Sequence, residues 1–267
     1  MGVMSALLRA LSRRPGLAQG AACLLMALPA LLLAGQAWFG GLGVNPLEQL
    51  MRVPARWSLG LLLLALAVAP LRDGAVRWAV WAGAGHGKRL ADWNWLVRLR
   101  RPIGLACFFY AALHLGVYLG LDLGGSWPEL LADLADKPFI ALGGLSFCGL
   151  LLLAATSTDG WMRRLKRNWK RLHRLIFPCA VLAQLHYMLL SKPGVEGPGW
   201  YGAALLCLLG CRCLGWPGRR AGSAEQLDGS APERPDNHAA GAGASAEPPA
   251  PHRPAGLELP PPRKEYS

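Results

Sequence analysis

Long apolar blocks with almost no charge dominate this sequence, and short, strongly basic segments separate them. Helices of water-soluble proteins instead mix polar and apolar residues at a period of about 3.6 residues. A membrane-spanning helix needs about 20 mainly apolar residues. The blocks that approach this length lie roughly at residues 16–39, 53–71, 102–121, 138–155, 172–190 and 200–214. The pattern therefore predicts an all-α, polytopic membrane helix bundle of about six transmembrane helices.

The basic segments alternate with other loops in a way that predicts the orientation of the chain. Cytoplasmic loops of membrane proteins carry an excess of Lys and Arg. The basic segments are the N-terminus, residues 72–101, residues 158–171 and the tail, whereas residues 40–56, 122–137 and 191–199 are not basic. An even number of spans with both termini in the cytoplasm places every basic segment on the cytoplasmic side and every other loop on the opposite side. The compact chain and short loops favour a bacterial cell inner membrane.

Three regions are expected along the chain. A cytoplasmic N-terminus over residues 1–15 precedes a transmembrane domain over residues 16–215. Residues 216–267 are rich in Pro, Ala, Gly and charge. They bury too little apolar surface to offset the entropy of ordering, which predicts a disordered cytoplasmic tail. A Trp-rich apolar piece at residues 75–84 is too short to span, so we expect it at the membrane interface.

Charge and cysteine usage exclude two other classes of protein. The net charge of +12 does not indicate nucleic-acid binding, because the basic residues cluster at the ends of apolar blocks and no nucleic-acid-binding module accompanies them. The seven Cys are odd in number and lie mostly within apolar blocks, which argues against a disulfide framework. The sequence contains no Cys-x-x-Cys, so covalent haem attachment is not supported either.

Two of the six His lie deep in apolar blocks, where an ionisable side chain usually marks a functional site. Counted from Arg101 and Arg174, His114 and His186 lie 13 and 12 residues into their blocks, or about 20 Å and 18 Å along a helix. Both helices run in the same direction in the predicted topology. The two imidazoles therefore lie at matching depth, as ligation of one haem by two His requires. The competing interpretation is packing, in which each His forms a hydrogen bond between helices.

A second candidate pair lies near the basic ends of the same two blocks. His173 precedes His186 by 13 residues, which separates the two side chains by about 140° on an ideal helix. Arg100 precedes His114 by 14 residues, which places both on one face. An inner site would be framed by His173 and Arg100, with one good iron ligand. Alternatively, His173 is an interfacial residue and Arg100 contacts headgroups. The remaining His86, His238 and His252 fall in a loop and the tail, and carry no prediction of a site.

Several strings in the chain resemble those of the MsrQ (formerly YedZ) family. One string follows the first apolar block, two lie in the third, one ends the fourth, and two lie at the start and near the end of the fifth. The strings are Gly40-Gly41-Leu42-Gly43-Val44-Asn45-Pro46-Leu47, Leu99-Arg100-Arg101-Pro102-Ile103-Gly104-Leu105, Ala112-Leu113-His114-Leu115, Thr156-Ser157-Thr158, Asn168-Trp169-Lys170-Arg171-Leu172-His173-Arg174-Leu175 and Leu185-His186-Tyr187. The resemblance covers roughly residues 15–215.

The resemblance implies a ferric-reductase-like transmembrane domain that binds one or two groups of haem b. The histidines of that family fall on His114, His173 and His186, and its arginine falls on Arg100. In the family the subunit passes electrons to MsrP, a periplasmic molybdopterin enzyme that reduces methionine sulfoxide in oxidised periplasmic proteins. The family's electrons are attributed to the quinone pool or to a cytoplasmic flavin reductase. FMN is a further cofactor that the resemblance alone implies.

The expected role is therefore that of an electron-transfer subunit rather than a catalytic one. The sequence contains no Gly-rich dinucleotide fingerprint, so we expect a separate donor and a separate acceptor. Two alternatives stay open. A free-standing ferric or quinone reductase would share the haem and differ in its acceptor. A non-redox transporter would be expected to show inverted repeats, and no repeat between the halves is evident in the sequence.

Overall fold

Helices make up the regular structure of the chain. The computed structural model describes residues 15–84, 87–191 and 197–213, and within these ranges it contains no strand. The tail, His86 and nearly all of the predicted N-terminal region lie outside the described residues. The α-helices are α1 (Pro15–Trp38), α2 (Pro46–Trp81), α3 (Asn94–Arg98), α4 (Arg100–Val117), α5 (Trp127–Asp136), α6 (Pro138–Ala155), α7 (Asp159–Leu165), α8 (Arg167–Leu172), α9 (Ile176–Leu190) and α10 (Gly197–Cys213), with 3-10 turns at Leu90–Trp93 and His173–Leu175 and a π-helical turn at Tyr118–Asp122.

Among the described residues, four helical stretches are long and apolar enough to span a bilayer, and they match the first four predicted spans. They are Gly16–Trp38, Pro46–Trp81, Leu90–Asp122 and Pro138–Ala155. The predicted all-α membrane bundle is therefore confirmed. The fifth and sixth blocks form α9 and α10, of 15 and 17 residues. Because these helices are shorter than a typical span, the count of six and the cytoplasmic termini stay predictions.

Helix α2 extends further in both directions than the sequence patterns predicted. It begins at Pro46, inside the predicted loop at 40–56, because the Asn45 side chain caps it by accepting a hydrogen bond from the Glu48 amide at 3.4 Å. It then continues to Trp81, so the expected interfacial piece at 75–84 is mostly the end of α2. Pro54 and Pro70 lie inside the helix. A proline removes one helical hydrogen bond, which neighbouring helices in a bundle tolerate.

The core of the bundle consists of two helix pairs. Helix α2 packs along α4, and α6 packs along α9; α1 covers α4, and α10 covers α2 and α9. Each pair is antiparallel, because rising numbers on one helix meet falling numbers on the other. Met51 and Ser58 of α2 contact His114 and Cys107 of α4, and α6 contacts α9 in the same way through Phe139–His186 and Ser146–Cys179. Gly149 lets α9 come close, since a Cβ there would overlap the Cys179 sulfur. Small residues of this kind are typical where membrane helices pack.

The Tyr110 hydroxyl joins α1 to α4. Its Oη atom donates to the Met26 carbonyl at 2.7 Å and accepts from the Ala30 amide at 3.1 Å. These two backbone groups are four residues apart, so the hydroxyl is inserted into the hydrogen-bond ladder of α1 next to Pro29. Tyr110 is 1% exposed. A buried side chain on α4 thus satisfies backbone groups at the irregular point of α1.

The helix pairs are also joined at the end where α4 stops. The Tyr118 hydroxyl donates to Asp133 at 2.6 Å, and Lys137 pairs with the same carboxylate at 2.6 Å. The hydrogen bonds from Lys137 and Tyr118 lower the pKa of the Asp133 carboxyl below its ordinary value. They fasten the short α5 between the π-helical turn after α4 and the start of α6.

Removal of the Tyr110 hydroxyl tests the connection between α1 and α4. We expect Tyr110→Phe to lower the free energy of unfolding by about 1–3 kcal/mol, because it removes the two buried hydrogen bonds that join α4 to α1. Thermal unfolding of the detergent-purified protein measures the effect. The control is Phe109→Leu on the same helix, since Phe109 is 53% exposed. Equal melting temperatures for Tyr110→Phe and the wild type would contradict the structural role of the hydroxyl.

Candidate functional site

The structure brings His114 and His186 together across the bundle. Their ring centroids lie 6.3 Å apart, with an angle of 69° between the ring planes. His114 lies on α4 and His186 on α9, so each of the two helix pairs supplies one ring. Both side chains are partly buried. The matching depth predicted from the sequence therefore corresponds to spatial proximity.

Each ring is held by a backbone carbonyl of the neighbouring helix. His114 Nδ1 lies 3.0 Å from the Met51 carbonyl of α2, and His186 Nδ1 lies 2.6 Å from the Phe139 carbonyl of α6. A carbonyl oxygen only accepts, so each Nδ1 donates its proton. The lone pair of each Nε2 is then free for a metal. Metal-binding His residues in proteins are commonly oriented by this kind of bond.

Gly143 makes room for the second ring. A Cβ at this position would lie 2.8 Å from Nδ1 and 3.0 Å from Cε1 of His186. Real Cβ atoms do not approach other atoms so closely, so any larger residue would displace the imidazole. The neighbouring Gly144 has no atom within 4 Å of the equivalent position. Of these two glycines, Gly143 is the one that the position of the ring requires.

The two helix pairs repeat the same arrangement of hydrogen bonds. The Ser58 hydroxyl bonds to the Cys107 carbonyl at 3.0 Å, and the Ser146 hydroxyl bonds to the Cys179 carbonyl at 2.9 Å. Each cysteine precedes the histidine of its helix by seven residues, and each serine follows the anchoring carbonyl of its helix by seven. Seven residues are almost two complete turns, so the bonds of each pair lie on one face about 10 Å apart.

This repeat was missed in the sequence analysis. The two halves share few identical residues. Ala111-Ala112-Leu113-His114 corresponds to Ala183-Gln184-Leu185-His186, with three of the four residues identical. The other corresponding positions are Ser58 with Ser146 and Cys107 with Cys179. A comparison of spacings around each histidine would have found them. The two halves run in the same direction, so this repeat differs from the inverted type considered for a transporter.

His173 has different surroundings from the histidine pair. Its ring lies against Trp169, with ring centroids 3.9 Å apart, and its Nδ1 lies 3.2 Å from the Trp169 carbonyl. Its Nε2 lies 3.4 Å from the Ser157 hydroxyl. Within the described residues no hydrogen bond or ring contact joins His173 to Arg100 or to the pair. The 3-10 turn at His173–Leu175 makes the ideal-helix estimate of 140° inapplicable here.

Arg100 lies at the start of α4, partly buried, and its Nε atom has no hydrogen-bond partner among the described residues. The adjacent Arg101 is committed to an ion pair with Asp159 at 2.7 Å. Arg100 is therefore the one of these two arginines whose guanidinium retains an unsatisfied buried donor. Arg100 is within electrostatic range of Arg72 and Arg212, and we call this region the basic end of the bundle.

The histidine pair could hold the iron of a haem. Two imidazoles that bind one iron from opposite sides place their ring centres about 6 Å apart, since each side adds a metal–nitrogen bond of about 2 Å and half a ring. The observed 6.3 Å between centroids matches this separation. In the described part of the chain, no group of three or more His, Cys, Asp or Glu could hold a metal ion. The donor set of two oriented imidazoles suits a haem, whose porphyrin supplies the other ligands.

Comparison with known proteins agrees with this architecture. Residues 54–184 match the family described as ferric reductase like transmembrane component. This region includes Arg100, His114 and His173 and ends two residues before His186. No solved structure matches the chain.

Curated relatives extend the match to most of the chain. A protein of Xanthomonas euvesicatoria is 41% identical over 180 residues, which are 66% of this chain and 75% of the relative. One of Caulobacter vibrioides is 40% identical over 196 residues, or 73% and 85%. One of Xanthomonas campestris is 40% identical over 190 residues, or 69% and 80%. All three are named protein-methionine-sulfoxide reductase heme-binding subunit MsrQ. With this identity and coverage, the chain belongs to the MsrQ family of multi-pass bacterial membrane proteins.

Proposed function

We propose that this chain is a haem b-containing membrane electron-transfer subunit that delivers electrons to a separate, MsrP-like methionine sulfoxide reductase in the periplasm. The observation that carries the proposal is the pair His114 and His186, with both Nδ1 atoms fixed and both Nε2 atoms free. The names of the curated relatives support haem as the ligand and the sulfoxide reductase as the system served. Repair of oxidised periplasmic proteins would follow from the activity of the partner.

The role of the chain's own residues is to hold and orient the group. Haem supplies a one-electron carrier when bound. The Met51 and Phe139 carbonyls fix the tautomer and direction of His114 and His186, which makes the imidazoles stronger ligands. Axial ligand identity, burial and nearby charge are the means by which the protein sets the potential of such a carrier. Neither histidine has to donate or accept a proton in this role.

Electrons would reach the pair from the basic end of the bundle. We assign His173 and Arg100 to this electron-input side, because they lie at the starts of the two helices that carry the pair. The donor is the quinone pool or a cytoplasmic flavin reductase, with FMN as a further cofactor. These donor assignments rest on the family resemblance. An inner haem, if present, would have His173 as its protein ligand.

The acceptor would dock at the opposite end, near the histidine pair. Helix α5 lies there, because Tyr118 follows His114 on the same helical stretch and Lys137 directly precedes α6, whose Phe139 anchors His186. Its acidic residues include Glu129 and Asp136, both exposed. The predicted loop at 40–56 is a poorer candidate, since 11 of its 17 residues belong to helix α2 and Met51 holds His114.

Substitution of either paired histidine tests the haem assignment. We expect His114→Ala and His186→Ala each to lose nearly all haem at this site, because one axial imidazole is removed. The reduced-minus-oxidised visible spectrum and haem per chain of the purified protein measure the effect. Leu189→Ala on α9 is the control, since Leu189 is 58% exposed. Normal haem content and low-spin bands in either His variant would refute the ligand pair; a wild type without haem bands would favour the transporter alternative.

A milder test moves one ring without removing it. We expect Gly143→Ala to displace the His186 imidazole and weaken haem binding by about 10–100-fold, as loss of an orienting contact does at other metal sites. Gly144→Ala is the matched control on the same helix, with no atom within 4 Å of the new methyl group. Haem titration of the apoprotein compares them. Equal affinities for the two variants would argue against Gly143 as the support of the ring.

Charge reversal on α5 tests the docking side. We expect Glu129→Lys with Asp136→Lys to slow electron delivery to the purified reductase subunit by about tenfold or more at low ionic strength, because steering of the encounter depends on surface charge. Stopped-flow oxidation of the pre-reduced protein measures the rate. The haem spectrum should not change. An unaltered rate at low salt would place the docking surface elsewhere.

A further inference from the structure

Two buried N–H donors at the basic end of the bundle lack a partner. They are Nε of Arg100 and Nε1 of Trp95, and neither has a hydrogen-bond acceptor among the described residues. Buried donors are nearly always paired, since leaving one unsatisfied is unfavourable. The two residues lie on consecutive helices, α3 and α4, which are separated by one residue. Each of these two donors therefore needs a hydrogen-bond acceptor.

The same region carries an excess of positive charge. The guanidinium of Arg100 is within electrostatic range of Arg72 and Arg212, and the Asp73 carboxylate offsets part of their positive charge. Like charges gathered in a partly buried place repel one another unless an anion joins them. The missing acceptor is thus expected to be negatively charged.

The neighbouring cations are held in place by other contacts. The Arg72 guanidinium donates to the Leu90 carbonyl at 2.7 Å and to the Asn94 side chain at 2.9 Å. The Arg212 guanidinium lies over the Phe177 ring, 4.7 Å from its centroid. The helices that meet here are α2, α3, α4 and α10. The cluster is therefore a preformed feature of the fold rather than a set of freely moving side chains.

The location narrows the chemistry of the anion. The cluster lies at the start of the spanning stretch Leu90–Asp122, where a bilayer places its headgroups. Trp93 and Trp95 lie beside it, and Trp is enriched at that depth. Basic sites between membrane helices on the cytoplasmic side commonly take the phosphate of anionic lipids. A phosphate ester offers several oxygens, which suits two separate N–H donors and a guanidinium.

We propose that Arg100, Trp95, Arg72 and Arg212 form a binding site for the headgroup phosphate of an anionic membrane phospholipid. The lipid would complete the hydrogen bonds of Arg100 and Trp95 and tie α10 to α2 and α4. This site is separate from the histidine pair and lies at the proposed electron-input side, so the proposal does not depend on the identity of the electron acceptor.

The test uses the full chain in a neutral detergent with phosphatidylglycerol or phosphatidylcholine as the added lipid. Native mass spectrometry counts retained lipids, and thermal unfolding measures stabilisation. We expect one retained phosphatidylglycerol and a higher melting temperature than with phosphatidylcholine. Arg100→Gln should weaken phosphatidylglycerol binding by about tenfold or more, because a charge-assisted hydrogen bond is lost. Trp95→Phe keeps the ring, removes the unpaired donor, and should weaken binding in the same direction.

Arg163→Gln is the control, since Arg163 is an exposed arginine on α7. It should bind phosphatidylglycerol like the wild type. Equal retention of the two lipids, or equal loss of phosphatidylglycerol in the control and in both test variants, would overturn the proposal. A third arm adds inorganic phosphate alone. If phosphate stabilises the wild type as much as phosphatidylglycerol does, and Arg100→Gln abolishes this effect, the site takes a soluble phosphate and the lipid assignment is wrong.

Discussion

The position of the histidine pair depends on two hydrogen bonds from its imidazole rings to backbone carbonyls. A side chain with a flexible χ2 angle has many positions in a membrane interior, and a carbonyl of an adjacent helix selects one of them. The Met51 and Phe139 carbonyls each serve one ring. Because these carbonyls belong to α2 and α6, the register of each antiparallel helix pair fixes the height of its histidine. The Ser58 and Ser146 hydroxyls fix that register about two turns away.

Symmetry of this kind has a physical advantage for a centre shared by two helices. The two rings experience similar anchors, similar helix directions and similar distances to the next interhelical bond. In the proposed haem site, the two rings would therefore hold the group in equivalent ways. The two halves differ at the basic end. In the repeat, Arg100 and Arg101 at the start of α4 correspond to Leu172 and His173 before α9.

Much of this could be predicted from the sequence, and the reasons for the failures are specific. Block length and charge predicted the helical bundle, and depth alone predicted that His114 and His186 would meet, because position along a spanning helix translates directly into height. The start of α2 was missed, since apolar content was used where the Asn45 cap and Pro46 were the better signal. The anchoring carbonyls could not be predicted, because every residue has a backbone carbonyl and the one that meets a histidine depends on helix register. Gly143 could be recognised as special only once His186 lay against it.

The hydroxyl of Tyr110 has a consequence for how the chain is made. Its partners on α1, Met26 and Ala30, precede it by 84 and 80 residues. At a synthesis rate of about 5–20 residues per second, α1 waits roughly 4–16 s in the membrane before that hydroxyl is added to the chain. During this interval α1 must close its own backbone bonds in lipid, next to a proline. Helix α1 therefore acquires its final shape late, when α4 arrives.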